Sequence, residues 1–242
     1  MKADPRDQRE LLRVQELDNL IAQATRAIAH PSQEKALAEL EPVVAEVRSR
    51  RLAVSGELDD ARAELKRLES DVEVVEARMA RDDERLQVTS SVKDVEALEA
   101  ELSALRKRRS DLEDIELAIM ERIEGLEQQI AAIDADSAHS RGEVERLESE
   151  RDAENAGWER KRTDAVTDRA SVADALPAEL VALYDKQRER YGVGAARLVG
   201  GVSLGSNMKL SPSDLASVKA SADDEVVLCP DSGAILVRDE NS

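Results

Sequence analysis

The sequence has almost no aromatic side chains: phenylalanine is absent, and the 242 residues include one tryptophan and two tyrosines. Aromatic rings supply much of the bulk of a globular core, so most of this chain cannot form one. Charged residues make up 36% of the chain, well above the roughly 25% of ordinary globular proteins. High charge with few aromatics predicts long helices exposed to solvent.

Three further shortages narrow the class of protein. The single cysteine, Cys229, excludes an intrachain disulfide framework. No apolar run approaches the roughly 20 residues of a membrane helix, and the polar first residues lack the apolar core of a signal peptide. We therefore expect a cytoplasmic location and no membrane association. Asp and Glu number 53 against 35 Lys and Arg, giving a net charge of −18 that repels nucleic acids and anionic membranes.

The dominant feature that remains is an apolar repeat at steps of three and four residues, which is typical of a coiled-coil seam. It occupies two stretches, the first at Leu37, Leu40, Val44, Val47, Val54, Leu58, Ala61, Leu65, Leu68, Val72, Val75, Met79 and Leu86, and the second at Leu98, Leu102, Leu105, Leu112, Ile119, Ile123, Leu126, Ile130, Ile133, Val144 and Leu147. Only Arg51 and Asp82 interrupt the first stretch. A turn near residues 87–92 separates the two, so the sequence predicts a mainly α fold built on a long antiparallel coiled-coil helical hairpin.

The hairpin domain is predicted to cover residues 1–171. A first helix is predicted at residues 5–28. The break that follows it contains Pro31, and Ser32 is expected to cap the second helix. Arg109 occupies a seam position, and a turn centred near residue 90 would place it opposite Glu69 and Asp71, as an ion pair that helps to set the register. Ser137 and Ser140 thin the seam in the region of Pro42, where we expect looser packing.

The pattern changes in the second predicted domain, residues 176–242, which reads as a small α+β module. Short apolar stretches at 195–199, 225–228 and 234–237 alternate with glycines, and Ser211-Pro212 resembles a helix start. A module of this size has a marginal core, and metals or disulfides commonly support such modules.

The module carries two degenerate metal knuckles. Cys229-Pro-Asp-Ser232-Gly resembles a Cys-Pro-x-Cys-Gly knuckle, and Ser203 and Ser206 occupy the cysteine positions of a companion knuckle. With the hairpin, and with the segments 81–86 and 92–98 on either side of the turn, the chain resembles a bacterial family of coiled-coil proteins that end in a four-cysteine zinc ribbon and whose function is largely unknown. The resemblance implies a structural zinc held by four thiolates.

The chain departs from that family pattern at three of the four ligand positions. Serine hydroxyls are poor zinc ligands, since structural zinc needs thiolate or imidazole donors. We therefore expect no cofactor here and a ribbon that folds without zinc. Its apolar residues would hold it instead: Leu210, Leu215, Val218, Val226, Leu228, Ile235 and Leu236. Cys229 is then interpreted as a small buried residue.

Motifs for catalysis are missing from the sequence. There is no glycine-rich phosphate loop followed by lysine, no nucleophile elbow and no metal-binding cluster, so we expect no enzyme. Nucleic-acid binding is the alternative, through the segment Arg106-Lys107-Arg108-Arg109, although such a run is more often helix-surface charge balanced by neighbouring acids. From Leu176 onward ten acids outnumber seven bases, which disfavours nucleic acid.

The preferred interpretation is a non-enzymatic scaffold or adaptor that binds protein partners through a rigid hairpin. The family resemblance implies partners in transcription or secretion machinery. At the hairpin turn Val88, Val92 and Lys93 are the candidate contact residues, because the seam has ended and the chain offers nothing to cover the valines. The valines are predicted to form either a local clasp or a docking point, and the sequence leaves both alternatives open.

Overall fold

The computed structural model describes residues 1–238, so the end of the second predicted domain, residues 239–242, lies outside the described residues. The helices are α1 (Pro5–Ala29), α2 (Glu34–Val88), α3 (Val92–Asp174), α4 (Ala178–Tyr191) and α5 (Pro212–Ala220), and the strands are β1 (Ala195–Val199), β2 (Val202–Ser203), β3 (Met208–Lys209), β4 (Val227–Leu228) and β5 (Ile235–Val237).

The chain divides into two compact units at places that the sequence did not predict. One unit is Lys35–Glu148, and the other combines Met1–Glu34 with the chain from Ser149 onward. The predicted boundary between residues 171 and 176 therefore differs from the observed grouping. The physical reason is that α1 contributes buried side chains to the core of the C-terminal module rather than only to a seam.

The Lys35–Glu148 unit is an antiparallel coiled coil. Leu68 of α2 lies in one buried cluster with Leu112 of α3, and Leu58, earlier in α2, lies in another with Leu126, later in α3. The mainly α, coiled-coil hairpin fold is thus confirmed. The part of α2 inside this unit extends about 80 Å at the rise of an α-helix.

The ion pair predicted for Arg109 differs in the structure. Arg109 pairs with Glu113 at 3.2 Å and with Glu76 at 4.0 Å, and not with Glu69 or Asp71, because the two helices are offset by several residues from a symmetric register about residue 90.

Ser32 does not cap α2. Its hydroxyl donates instead to Oε2 of Glu154 at 2.9 Å, and the amide of Gln33 donates to the same oxygen at 3.1 Å. Hydrogen bonds from Gln33 and Ser32 lower the pKa of the Glu154 carboxyl. The Ser32 hydroxyl thus donates to a distant carboxylate instead of accepting a backbone N–H at the start of α2.

The C-terminal module is built on a five-stranded sheet with the order β3-β2-β1-β5-β4. β1 and β5 are parallel, and the other neighbours are antiparallel. Side chains alternate between two cores. The first is formed with α1 and α4 by Ala3, Leu11, Val14, Leu176, Leu180, Tyr184, Ala195, Ile235 and Val237, and the second is formed with α5 by Leu198, Leu210, Val218, Cys229 and Leu236.

The short elements of the module begin close to where the sequence predicts them. Ser211 caps α5 by accepting a 3.1 Å hydrogen bond from the backbone N–H of Asp214. One predicted core residue is wrong: Leu228 is 40% exposed, because β4 is an edge strand of the sheet. The guanidinium of Arg238 ties the segment that follows α5 to the end of β5. It donates hydrogen bonds to the backbone carbonyls of Val218, Ser221, Ala222, Asp223 and Glu225.

Candidate functional site

The hairpin turn presents two valines to solvent. α2 ends at Val88 and α3 begins at Val92, so residues 89–91 reverse the chain, and the carbonyl of Ser91 accepts the N–H groups of Asp94 and Val95 at 3.0 Å. Val88 is 84% exposed and Val92 is 75% exposed. Side chains this exposed do not cover each other, which argues against the clasp. Lys93 is exposed beside them.

One residue near the turn was identified by the sequence only as an interruption of the seam. Asp82 is 6% exposed. Its Oδ1 lies 3.5 Å from the Arg85 guanidinium, while its Oδ2 has no hydrogen-bond partner within residues 1–238. The other interruption, Arg51, forms a 2.6 Å ion pair with Asp134.

The basic segment of α3 is only partly neutralised. Arg106, Lys107 and Arg108 are exposed, and none of them forms an ion pair within the part of the chain that the structure describes. Arg109 is half-buried and pairs with Glu113 and Glu76. The two alternatives for this run, balanced surface charge and a nucleic-acid contact, therefore both stay predictions.

The looser packing predicted near Pro42 corresponds to a groove of about 480 Å³ within the coiled coil. It is lined on α2 by Pro42, Val43, Glu46, Val47 and Arg50, and on α3 by Asp136, His139 and Ser140. Ser140 is 9% exposed and its hydroxyl returns to the carbonyl of Asp136 at 3.0 Å. A small hydroxyl in place of an apolar side chain leaves the groove open.

The degenerate knuckles come together in the ribbon. Ser203 is fully buried and Cys229 is 2% exposed, and a Cβ placed on Gly205, in the first knuckle, would lie 3.2 Å from the Ser232 Oγ in the second. Burial raises the pKa of the Cys229 thiol, but the polar surroundings supplied by Ser232, Ser203 and the backbone of Asp231 outweigh burial, so the pKa is lowered overall.

A zinc ion does not fit this donor set. One sulfur and three hydroxyls stand where the family pattern has four thiolates. Within residues 1–238 no group of three or more His, Cys, Asp or Glu side chains is placed to hold a metal ion. Hydroxyls would have to lose protons that they hold tightly at neutral pH before they could act as zinc ligands.

Sequence reasoning missed a buried polar network centred on Asp18 of α1. Asp18 is 2% exposed; it accepts a hydrogen bond from the Tyr184 hydroxyl and pairs with Arg169 at 3.1 Å and Arg188 at 3.3 Å. The sequence did contain a signal for the burial of Asp18, because this residue lies four positions after buried Val14, on the apolar stripe of α1.

The neighbouring Gln15 extends this network to the sheet. Its Oε1 accepts the backbone N–H of Gly194 at 2.7 Å and that of Ala195 at 3.3 Å. Gln15 itself is 7% exposed. The network links α1 to α3, α4 and β1 by hydrogen bonds and ion pairs. We interpret its role as structural, because no candidate catalytic group adjoins it among the described residues.

Comparison with known proteins agrees with this architecture: a coiled-coil hairpin with a ribbon-like module. A family model described as a CT398-like coiled coil hairpin domain matches residues 14–192, and one described as a C4-type zinc ribbon domain matches residues 202–236. The chain belongs to the family of CT398-like coiled-coil hairpin proteins. This combination of domains supports a structural, non-enzymatic protein.

Similar proteins extend over nearly the whole chain. The uncharacterized protein Rv2229c of Mycobacterium tuberculosis is 31% identical over 241 residues, 98% of each chain. A solved structure from Mycobacterium smegmatis is 32% identical with a TM-score of 0.85, covering 98% of this chain and 100% of its own. CT398 from Chlamydia trachomatis shares the fold at 16% identity, with a TM-score of 0.63 over 97% of this chain and 98% of its own.

Among the described residues, none of the helices has a window long and apolar enough to cross a bilayer.

Proposed function

We propose that this protein is a non-enzymatic adaptor that binds a protein partner through the tip of its helical hairpin, defined as Val88, Val92 and Lys93. The observation that carries the proposal is the exposure of the two valines, 84% and 75%, at a turn of three residues. Isolated exposed apolar side chains are ordinary, but two at the one non-helical point of a coiled coil form a distinct, accessible contact.

The chemistry expected of the partner follows from the tip itself. A β-branched pair has few rotamers to lose on binding, which suits insertion into a shallow apolar socket. The family resemblance extends the proposal to components of transcription or secretion machinery as the class of partner. Arg85, about one turn below Val88, has an exposed side chain that offers a polar contact at the rim of the same surface.

The test compares two double variants of matched chemistry in a pull-down from native lysate. Val88→Ser with Val92→Ser removes the tip contact, and Val74→Ser with Leu117→Ser removes side chains that are 64% and 60% exposed elsewhere on the hairpin. We expect the tip variant to lose the partner and the control to retain it, with unchanged helicity and melting in both. A photo-cross-linking residue at Val88 should form an adduct with the same partner.

Retention of every captured partner by the tip variant would contradict the proposal and move the search to the ribbon.

A second candidate, nucleic-acid binding, is favoured by the unpaired cations Arg106, Lys107 and Arg108. It predicts salt-dependent binding that Arg106→Gln, Lys107→Gln and Arg108→Gln together abolish. The net charge of −18 opposes it, and we expect affinities no tighter than the roughly micromolar limit of non-specific binding.

A further inference from the structure

Ion pairs between the two helices of the coiled coil stop short of the hairpin turn. Arg62 of α2 pairs with Glu127 of α3 at 2.7 Å, and nearer the turn Arg78 pairs with Glu101. From that pair to the turn, no further ion pair joins α2 to α3 within the described chain. The last turns of both helices therefore carry charges that the opposite helix does not neutralise.

The charges at this end of the hairpin are mainly acidic. Residues 79–100 contain six acidic and three basic side chains, a net charge of −3. One of the bases, Arg81, donates back to the carbonyl of Ala77 at 3.1 Å. Five of the acids form no ion pair among residues 1–238, and we call them the acidic collar: Asp83, Glu84, Asp94, Glu96 and Glu99. Each of them lies within two helical turns of Val88 or Val92.

The sixth acid adds to this negative field from beneath the surface. Asp82 is 6% exposed, and its Oδ2 has no hydrogen-bond partner in the part of the chain that the structure describes. The guanidinium of Arg85 lies 3.5 Å from the other carboxyl oxygen, on a side chain that is 71% exposed. Charges removed from water are screened less by salt than exposed ones. A buried acid with an unused oxygen therefore favours a cationic neighbour at this end of the coil.

We propose that the partner surface which receives the tip is basic: an apolar socket for Val88 and Val92, bordered by lysine and arginine side chains that pair with the acidic collar. This partner chemistry rests on the proposed function, because it presupposes that the tip binds a protein. The negative field repels the phosphates of nucleic acids and of anionic membranes, and it attracts a basic protein surface.

The valines and the acidic collar contribute differently to such a contact. Exposed charges at the rim of an interface mainly accelerate association by steering the encounter, and this effect weakens as salt screens the charges. Apolar side chains buried at the centre mainly slow dissociation. Neutralising the collar should therefore change the association rate and its salt dependence, whereas removing the valines should release the partner.

The experiment uses the full-length protein and, as the probe, the purified protein that photo-cross-links at Val88. The neutralised variant combines four changes in the collar: Asp83→Asn, Glu84→Gln, Glu96→Gln and Glu99→Gln. Asp94 is kept, because an acid in the first turn of α3 stabilises that helix. The control changes the net charge equally at exposed acids further from the turn, which form no ion pair among the described residues: Glu57→Gln, Asp60→Asn, Glu73→Gln and Glu121→Gln.

Association and dissociation rates are measured by stopped flow across a range of salt concentrations. At low salt we expect the neutralised variant to associate about tenfold more slowly than the wild type and to lose most of its salt dependence, while its dissociation rate changes by less than about threefold. The control should stay within about twofold of the wild type, since its changes lie away from the contact. Carbodiimide, which couples carboxyl groups to amines, should join collar peptides to lysines of the partner.

Two results would overturn the basic socket and leave the proposed function intact, provided that Val88→Ser with Val92→Ser still releases the partner. One is a neutralised variant that associates as fast as the wild type at low salt. The other is a photo-cross-link from Val88 to a partner surface on which acids outnumber bases. If no protein cross-links at Val88, or if the valine variant binds as the wild type does, the tip is not the contact and both proposals fail.

Discussion

The hydroxyl of Tyr184 donates a 2.8 Å hydrogen bond to Oδ2 of Asp18, and both residues are removed from solvent. Asp18 pairs at the same time with Arg169 and Arg188. Arg169 also contacts Asp185. α1 is thereby fixed to α3 and α4 by charge as well as by apolar packing.

Alkaline pH should destabilise the module through Tyr184. Burial, followed by the hydrogen bond to Asp18 and its negative charge, raises the pKa of the Tyr184 phenol above its ordinary value of 10.0. Because the folded-state pKa is the higher one, this contribution to stability is complete below pH 10 and is lost as the pH rises above it. The free energy of unfolding should fall by up to about 1.4 kcal/mol per pH unit above about pH 10, measured by denaturant titration.

The control for that titration is Tyr184→Phe. Other groups also ionise above pH 10, but only the wild type loses the contribution of this phenol, so the variant should show a shallower decline. In a Tyr191→Phe background, Tyr184 is the only phenol, and its absorbance change should coincide with unfolding. A phenolate that forms while the helicity persists would contradict the prediction.

Removing the acid of the network should be costly. Asp18→Asn leaves Arg169 and Arg188 without their shared carboxylate, although both guanidinium groups retain some access to water, with side chains 24% and 34% exposed. We expect a loss of about 2–3 kcal/mol in unfolding free energy. Glu10→Gln, an exposed change on the same helix, should alter it by less than about 0.5 kcal/mol. Equal effects would show that the network contributes nothing specific.

Gly194 and Gly157 should respond oppositely to alanine. A Cβ on Gly194 would collide with the ring of Tyr184, while one on Gly157, inside α3, would meet nothing within 4 Å. Gly194→Ala should therefore destabilise the protein by about 1–3 kcal/mol. Gly157→Ala should stabilise it by roughly 0.5–1 kcal/mol, because alanine restricts the unfolded helix segment. Thermal melting of the two variants beside the wild type checks the sign of both.

A substitution in the coiled-coil seam should lower the unfolding free energy much more than a substitution at the tip. Leu112 is 1% exposed within the coiled coil, so Leu112→Ala should cost about 2–5 kcal/mol through the cavity that it leaves. Val88→Ala removes little buried area and should change the unfolding free energy by less than about 0.5 kcal/mol. If the tip variant were as destabilising as the seam variant, the valine would be part of the core and the docking proposal would lose its basis.

The periodic positions were the most predictable part of this protein. Leu58, Leu68, Leu112 and Leu126 were assigned to the seam from spacing alone, and all four lie in its buried clusters. The turn at 89–91 followed from the break in the same pattern. Local chemistry was also sufficient at Ser211, whose side chain caps α5 as predicted.

The sequence by itself determined the hairpin and the exposure of its tip, because a heptad repeat and a short break are local properties of the chain. Only the tertiary structure decided the rest. Ser32 prefers Glu154 to its own helix, and the burial of Asp18 depends on Tyr184, which lies 166 residues away. A polar side chain with several possible hydrogen-bond partners takes the one that folding brings closest, and spacing along the chain does not encode that distance.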